Sequence, residues 1–360
     1  MSVGILGIGR AVPELAVSQG RAAELSEPLV CSDERQRRLL GVLFRRSGVE
    51  TRHSVVLEAD GEGTEQGFYP PRHDLPRGPG TADRMQRFET EAPDLAESAC
   101  RGALRQASTG AAGITHLVTV SCTGFHAPGI DVALVRRLGL DSGVARTHVG
   151  FMGCHGIFNG LGVARSIVEA DPAARPLVCA VELCSLHFQY LWDSEKLVAN
   201  ALFADGAGAA VCGPAADAGL SVEATGSVLL PDSSDAMTWR IGDHGFEMTL
   251  AARVPDLIRA HAAGWMETWL EGLDLSPAEI GTWAVHPGGP RILDAFEDAM
   301  ELADDALAES RQVLARYGNM SSVTILFILE RLLQGRAPGP WVAVGFGPGM
   351  VMEALLFRPR

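Results

Sequence analysis

The sequence predicts an α/β protein made of two halves built on one plan. Apolar runs of strand length alternate with segments whose apolar residues recur at helical spacing, along the whole chain. Polar residues collect in turns between strands and helices in both halves. A short stretch of small and polar residues after Pro214 breaks the alternation once, dividing the chain into residues 1–220 and 221–360. The outlines hint at an internal duplication, although no residue-level repeat accompanies them.

The elements follow in order. Residues 2–12 are an apolar run closed by Pro13, a buried strand. Residues 18–47 have a helical pattern and end basic, with Arg35, Arg37, Arg38, Arg45 and Arg46. Such a run is either a solvated helix face or a mouth for the phosphates of a nucleotide-type carrier, which suit arginine forks. Residues 57–83 are rich in Gly, Pro and charge and read as a long surface loop. A helix opens at Thr81 and resumes beyond Pro93 as a second piece. Residues 116–121 form a strand, with the turn from Cys122 to Gly129 at its C-terminal end, where ligands gather in α/β sheets. A helix over 130–139, a short strand over 146–149, and β-like runs over 177–184 and 202–213 complete the first half. The second half opens with strands and turns over 219–250 and a helix over 251–272. A strand over 282–285 then ends at His286. Helices over 290–303, 306–315 and 323–333 precede strands over 341–346 and 350–357.

Composition narrows the function. A net charge of −14 argues against general attraction to nucleic acid or anionic membranes, though a few arginines suffice for a small polyanion. The 7 cysteines are odd in number and scattered, which gives neither a disulfide framework nor a zinc motif. No signal peptide and no apolar run of about 18 residues appears, so a reducing cytoplasm is the expected location.

The chain is organised around Gly150-Phe151-Met152-Gly153-Cys154-His155-Gly156. A strand ends in small residues, the cysteine follows, and a helical pattern begins. Cys154 therefore lies near a helix N-terminus, where unpaired N–H groups and the macrodipole favour a thiolate. Two further turns bring polar residues beside helix starts: His286, before Pro-Gly-Gly-Pro, and Asn319, in Tyr-Gly-Asn-Met-Ser-Ser. Taken singly, these are a core cysteine, a satisfied histidine and a helix cap. Meeting at one sheet end, they are a nucleophile beside an imidazolium, with two hydrogen-bond donors for one carbonyl oxygen.

The motifs resemble those of type III polyketide synthases, the chalcone-synthase-like branch of the thiolase superfamily. Matching stretches are GFMGCHG around Cys154, ALFADGAGAA around Phe203, AVHPGGPRIL around His286, YGNMSS around Asn319, and GFGPGMVME over 345–353. The resemblance covers about residues 3–357 and implies a thiolase-like αβαβα layered fold. It implies that Cys154 accepts an acyl starter from coenzyme A. Malonyl-CoA then loses CO₂, His286 and Asn319 stabilise the enolate, and the carbanion attacks the thioester over several rounds. Phe203 matches the aromatic gatekeeper between tunnel and cavity. Gly345, Gly347 and Pro348 fall in the backbone stretch that shapes the cavity wall. Cys122, Thr123, Cys184 and His187 fall at cavity-lining positions, and Arg45, Arg46 and Arg291 where basic residues meet coenzyme A phosphates. The resemblance implies a homodimer that needs no metal, cofactor or carrier protein. Ala127 stands where plant chalcone synthases carry a methionine that reaches across the dimer, and His155 also departs from the plant pattern. A bacterial enzyme making pyrones, resorcinols or related aromatics is therefore expected, rather than a chalcone synthase. The competing expectations are a single-round condensing enzyme like ketoacyl-ACP synthase III and a non-catalytic partner retaining the fold.

Overall fold

The computed structural model describes residues 3–60, 63–190 and 192–360. Ser2 of the first predicted strand and residues 61–62 of the predicted long loop lie outside them. The first half contains β1 (Val3–Ala11), β2 (Ala16–Ser18), α1 (Gln19–Val30), α2 (Glu34–Arg45), β3 (Thr51–His53), β4 (Leu57–Asp60) and β5 (Gly63–Gln66). It continues with α3 (Thr81–Gln106), β6 (His116–Ser121), α4 (Ile130–Leu138), β7 (Ala145–Gly150), α5 (Gly156–Ala170), β8 (Pro176–Leu183), α6 (Ser194–Leu202) and β9 (Asp205–Pro214). Then come β10 (Leu220–Leu229), β11 (Met237–Gly242), β12 (Gly245–Leu250), α7 (Val254–Glu271), β13 (Thr282–Val285), α8 (Pro290–Met300), α9 (Ala308–Tyr317), α10 (Thr324–Gly335), β14 (Trp341–Gly347) and β15 (Val351–Pro359).

Nine of the described strands form one mixed sheet in the order β13-β14-β15-β10-β1-β9-β8-β6-β7. At each end the strands run parallel, β13 with β14 and β8 with β6 and β7; the pairs between are antiparallel. Among the described residues the middle is joined by Val3↔Val222, Gly4↔Ser221 and Ile5↔Leu220. Strand alternation then divides the core into layers. Leu177, Cys179 and Val181 of β8 pack with Ala96 and Cys100 of α3, while Val178 and Ala180 face the cluster holding α5 and α10. Across the molecule, Trp341 and Ala343 of β14 join that same central cluster, and Val342 and Val344 pack with α7 and α8. The result is an αβαβα stack with α5 and α10 in the middle. Residues 325–329 of α10 are all buried, as a helix flanked by sheet on both sides requires. Each such Leu, Ile or Phe contributes about 1.5–3 kcal/mol.

Four local expectations need correction. The helix predicted over 18–47 is two helices, because Asp33 accepts from the Gln36 N–H and starts α2 afresh. Pro93 does not divide α3, which runs unbroken because Ala92, Ala96, Ala99 and Ala103 press it onto the core. Part of the 57–83 loop is the β4–β5 hairpin. Residues 194–202 are helical, capped by Asp193 accepting from the Glu195 and Lys196 N–H groups, where no helix was expected.

Candidate active site

Cys154 sits in a 3₁₀ turn that runs directly into α5. The turn is sharp: Phe151 and Gly153 both have positive φ, 60° and 77°. A Cβ on Gly153 would lie 2.3 Å from Pro348 Cδ, so glycine is required for the GFGPG turn to close over the nucleophile. Asn319 follows Gly318 in the turn before α10. Its Oδ1 accepts from the Ser321 N–H at 2.8 Å, which leaves the NH₂ group to donate elsewhere. His286 ends β13, held by its N–H to Val344 O at 2.8 Å. Its side chain is 1% exposed, and neither ring nitrogen has a hydrogen-bond partner among the described residues.

These three side chains line one cavity with Phe203, Met237 and Phe346, around about 440 Å³ of atom-free space that includes open solvent. That cavity is one link in a chain of four. Outward it shares Leu202, Leu250, Gly288 and Ile292 with an outer chamber of about 1150 Å³, whose walls include Arg46 and Arg291. Inward it shares Cys154, Phe203, Met237 and Met248 with a space of about 310 Å³ lined by Cys122, Thr123, Cys184 and Pro348. Beyond Cys184, Phe203 and Trp239 lies a deep chamber of about 800 Å³, lined on one side by Val17, Leu25, Leu29 and Leu57. Cys154 thus stands at the foot of a shaft that starts at two arginines.

Burial dominates the electrostatics. It pushes the Cys154 thiol up to about 12, against hydrogen bonds from Ser321 and Asn319 that favour the thiolate. Burial, helped by nearby His155, pushes His286 down to about 3. Burial thus opposes the thiolate and imidazolium expected at this helix start. The desolvation of both groups outweighs the favourable helix N-terminus.

The remaining expected residues take varied places. Arg45 is exposed at the end of α2 and is not among the residues lining the outer chamber. Gly345 and Gly347 face the nucleophile helix and not the cavities: a Cβ on Gly347 would lie 2.1 Å from His155 Cδ2, and one on Gly345 2.7 Å from Phe158 Cε2. His187 lines the deep chamber. It pairs with Thr123 O at 2.7 Å, accepts from the Phe246 N–H at 2.9 Å, and stacks on the Phe246 ring.

Sequence reasoning missed two residues. Trp239 packs edge-on against Phe203 and donates to Cys122 O at 2.7 Å, forming part of the inner wall. Glu182 is fully buried and accepts from Ser322 Oγ at 2.6 Å, Thr123 Oγ1 at 2.7 Å and the Cys122 N–H at 3.0 Å. It ties the Cys122 turn to the Asn319 turn. A Glu inside the apolar run VCAVELC was the available signal for it.

A buried cysteine, an imidazole without a partner among the described residues and an oriented amide meet in one cavity of a layered α/β fold, an arrangement able to serve thioester condensation. The N-terminal domain profile of chalcone and stilbene synthases matches residues 2–216 and the C-terminal profile residues 221–359, and the chain belongs to this family of type III polyketide synthases. It is 34% identical to the "Alpha-pyrone synthesis polyketide synthase-like Pks18" of Mycobacterium tuberculosis, over 98% of this chain and 90% of that protein. It is 36% identical to the 1,3,6,8-tetrahydroxynaphthalene synthase of Streptomyces peucetius, over 98% and 92%. The crystal structure of PKS-I from the brown alga Ectocarpus siliculosus superimposes with a TM-score of 0.93 at 28% identity, covering 100% of this chain and 98% of that one. Among the described residues, no helix is long and apolar enough to cross a membrane, and no three His, Cys, Asp or Glu side chains group to hold a metal.

Proposed function

We propose that the protein loads an acyl group from coenzyme A onto Cys154, extends it by repeated decarboxylative condensation with malonyl-CoA, and releases a pyrone, resorcinol or related aromatic. The observation that carries this is the meeting of Cys154, His286 and Asn319 in one cavity under the Arg46 and Arg291 mouth. The two arginines hold coenzyme A phosphates while the pantetheine arm descends the shaft.

In loading, Cys154 Sγ attacks the thioester carbonyl as its proton passes to His286. The carbonyl oxygen is held by the Asn319 NH₂, and the coenzyme A sulfur leaves with the proton. In extension, the bond from malonyl C2 to its carboxylate breaks and CO₂ departs. The electron pair forms an enolate whose oxygen accepts from a His286 N–H and the Asn319 NH₂. The enolate carbon then attacks the acyl group and expels the Cys154 sulfur. Phe203 and Trp239 form the neck below, and the deep chamber supports a starter with an apolar tail. Cys122, Thr123, Cys184 and His187 shape the intermediates.

The reading includes a homodimer, supported by β7: it is the outer strand of the sheet, its residues 145–148 are exposed, and Phe125 and Met152 beside it are 40% and 39% exposed. It also includes two halves divided at 220/221, a cytoplasmic location and no cofactor. The test is mass spectrometry of the protein and its products with acyl-CoA and malonyl-CoA. Acyl-Cys154 and products carrying several added C₂ units are expected, and Cys154→Ala abolishes both. Polyketide formation at the parental rate by Cys154→Ala would refute the reading.

A further inference from the structure

Helix α6 separates the outer chamber from the deep chamber. Glu195 and Val198 face the first, Lys196 and Asn200 the second. Phe203 is the residue at its C-terminal cap. The last carbonyls of a helix lack partners within it, and here three separate residues, Gln19, Arg52 and Asn319, take them. Ala201 O accepts from Gln19 Nε2 at 2.6 Å. Leu202 O accepts from the Asn319 backbone N–H at 2.8 Å, and Asn319 O takes the Ala204 N–H at 2.9 Å, so Phe203 and Asn319 form a two-bond β-bridge. Asn200 O and Phe203 O both accept from one atom, Arg52 Nη1, at 2.6 and 3.0 Å.

Among the described residues, these two carbonyls are the hydrogen-bond partners of the Arg52 side chain. It projects from β3, lies with its guanidinium 5.3 Å from the centre of the Phe44 ring, and lines the deep chamber. Among the described residues no carboxylate is within ion-pair distance of it. Burial lowers its pKa to about 10, with the charge of Asp205 opposing, so it remains a cation at neutral pH. A cation at a helix C-terminus is favoured by the macrodipole as well as by its hydrogen bonds.

We propose that Arg52 is a positioning residue for condensation: by gripping Asn200 O and Phe203 O it fixes the segment that carries the gate ring and, through the bridge, the Asn319 amide. Without it, two carbonyls on the wall of the deep chamber lose their donor. The Leu202–Ala204 segment then relaxes, and Asn319 moves with it relative to Cys154. The proposal rests on the reading of the Cys154, His286 and Asn319 site given above.

The test uses the full-length protein with Arg52→Met, Arg52→Lys and Gln19→Leu. Gln19 Nε2 caps the neighbouring carbonyl of the same helix end and also reaches Ser47 Oγ and Phe44 O, with no hydrogen bond to Phe203 or Asn319 among the described residues, so it reports loss of stability at this helix end and its junction with α2. Arg52→Met is expected to lower kcat for condensation about 10- to 100-fold, since misplacement near 1 Å costs that much. KM for malonyl-CoA should stay within about threefold, because the mouth is untouched. The spread of product chain lengths should shift, and Arg52→Lys should recover part of the kcat. Gln19→Leu should lower the melting temperature and leave kcat and products at parental values. Parental kcat and products in Arg52→Met would overturn the proposal, as would an equal kcat loss in Gln19→Leu. Should Arg52→Met fail to fold, Arg52→Lys decides: its shorter side chain leaves the ammonium short of the place Nη1 holds against both carbonyls, and parental kcat in it would overturn the assignment. Cys154→Ala is assayed in parallel, and polyketide formation there would indict the reading of the site, whatever Arg52 does.

Discussion

Gly153→Ala perturbs the nucleophile turn without touching a reacting atom. The residue has φ of 77°, where an L side chain costs about 1–2 kcal/mol. Its new methyl carbon would start 2.3 Å from Pro348 Cδ and 3.0 Å from Cγ. Overpacking of that kind adds about 1–3 kcal/mol, for a total of about 2–5 kcal/mol. At an unfolding entropy of about 2.1 cal/mol/K per residue, a 360-residue chain should lose about 3–7 °C in Tm. Reaching ordinary contact requires about 1 Å of movement between the Cys154 turn and the 347–349 turn, enough to slow acyl transfer by about 100-fold. Calorimetry reads the first effect, and rapid-quench mass spectrometry of acyl-Cys154 the second. Pro348→Ala in the same chain removes the overlap and should return the overpacking share, leaving the backbone share. A Gly153→Ala protein with parental Tm and loading rate would refute the account of the turn, and with it the packing of the 347–349 turn over the nucleophile.

Three further outcomes follow from the same geometry. His286 and His187 are both held neutral by burial, down to about 3 from the ordinary 6.5. Between those values the unfolded chain binds two protons that the folded chain does not. The contribution of these two histidines is therefore full above pH 6.5 and falls as pH drops, by up to about 2.7 kcal/mol per unit for the pair. Urea unfolding across that range should show a shallower acid loss in His187→Gln, and an equal loss would contradict the assignment. Arg46→Ala should raise KM for coenzyme A thioesters about 10-fold, with kcat held, in steady-state assays at low salt. An unchanged KM would remove Arg46 from the mouth. Trp239→Ala should widen the neck to the deep chamber and shift starter preference toward longer acyl-CoAs in competition assays. Each extra methylene accommodated is worth about 1 kcal/mol or less, and an unaltered preference would disconnect that chamber from the starter.

The legible part of this protein was local and chemical. Glycine-flanked turns at strand–helix junctions marked Cys154, His286 and Asn319, because sharp turns and close approach demand particular residues wherever they occur. Strand and helix periods set the α/β class for a similar reason: a face that must be buried repeats at the spacing of its backbone. Helix α6 escaped this reading, since its nine residues depend on an Asp193 cap and on carbonyl partners that arrive from β3, α1 and the Asn319 turn. Glu182 and Trp239 escaped it too, for their roles consist of contacts with residues more than fifty positions away. The protonation state of the Cys154–His286 pair was likewise beyond the sequence. A turn at a helix start favours a thiolate, but how much water remains around the sulfur is decided by which distant surfaces close over it. Residue type and spacing determine what chemistry a turn can support; only the packing of distant elements decides the solvation of the groups at that turn.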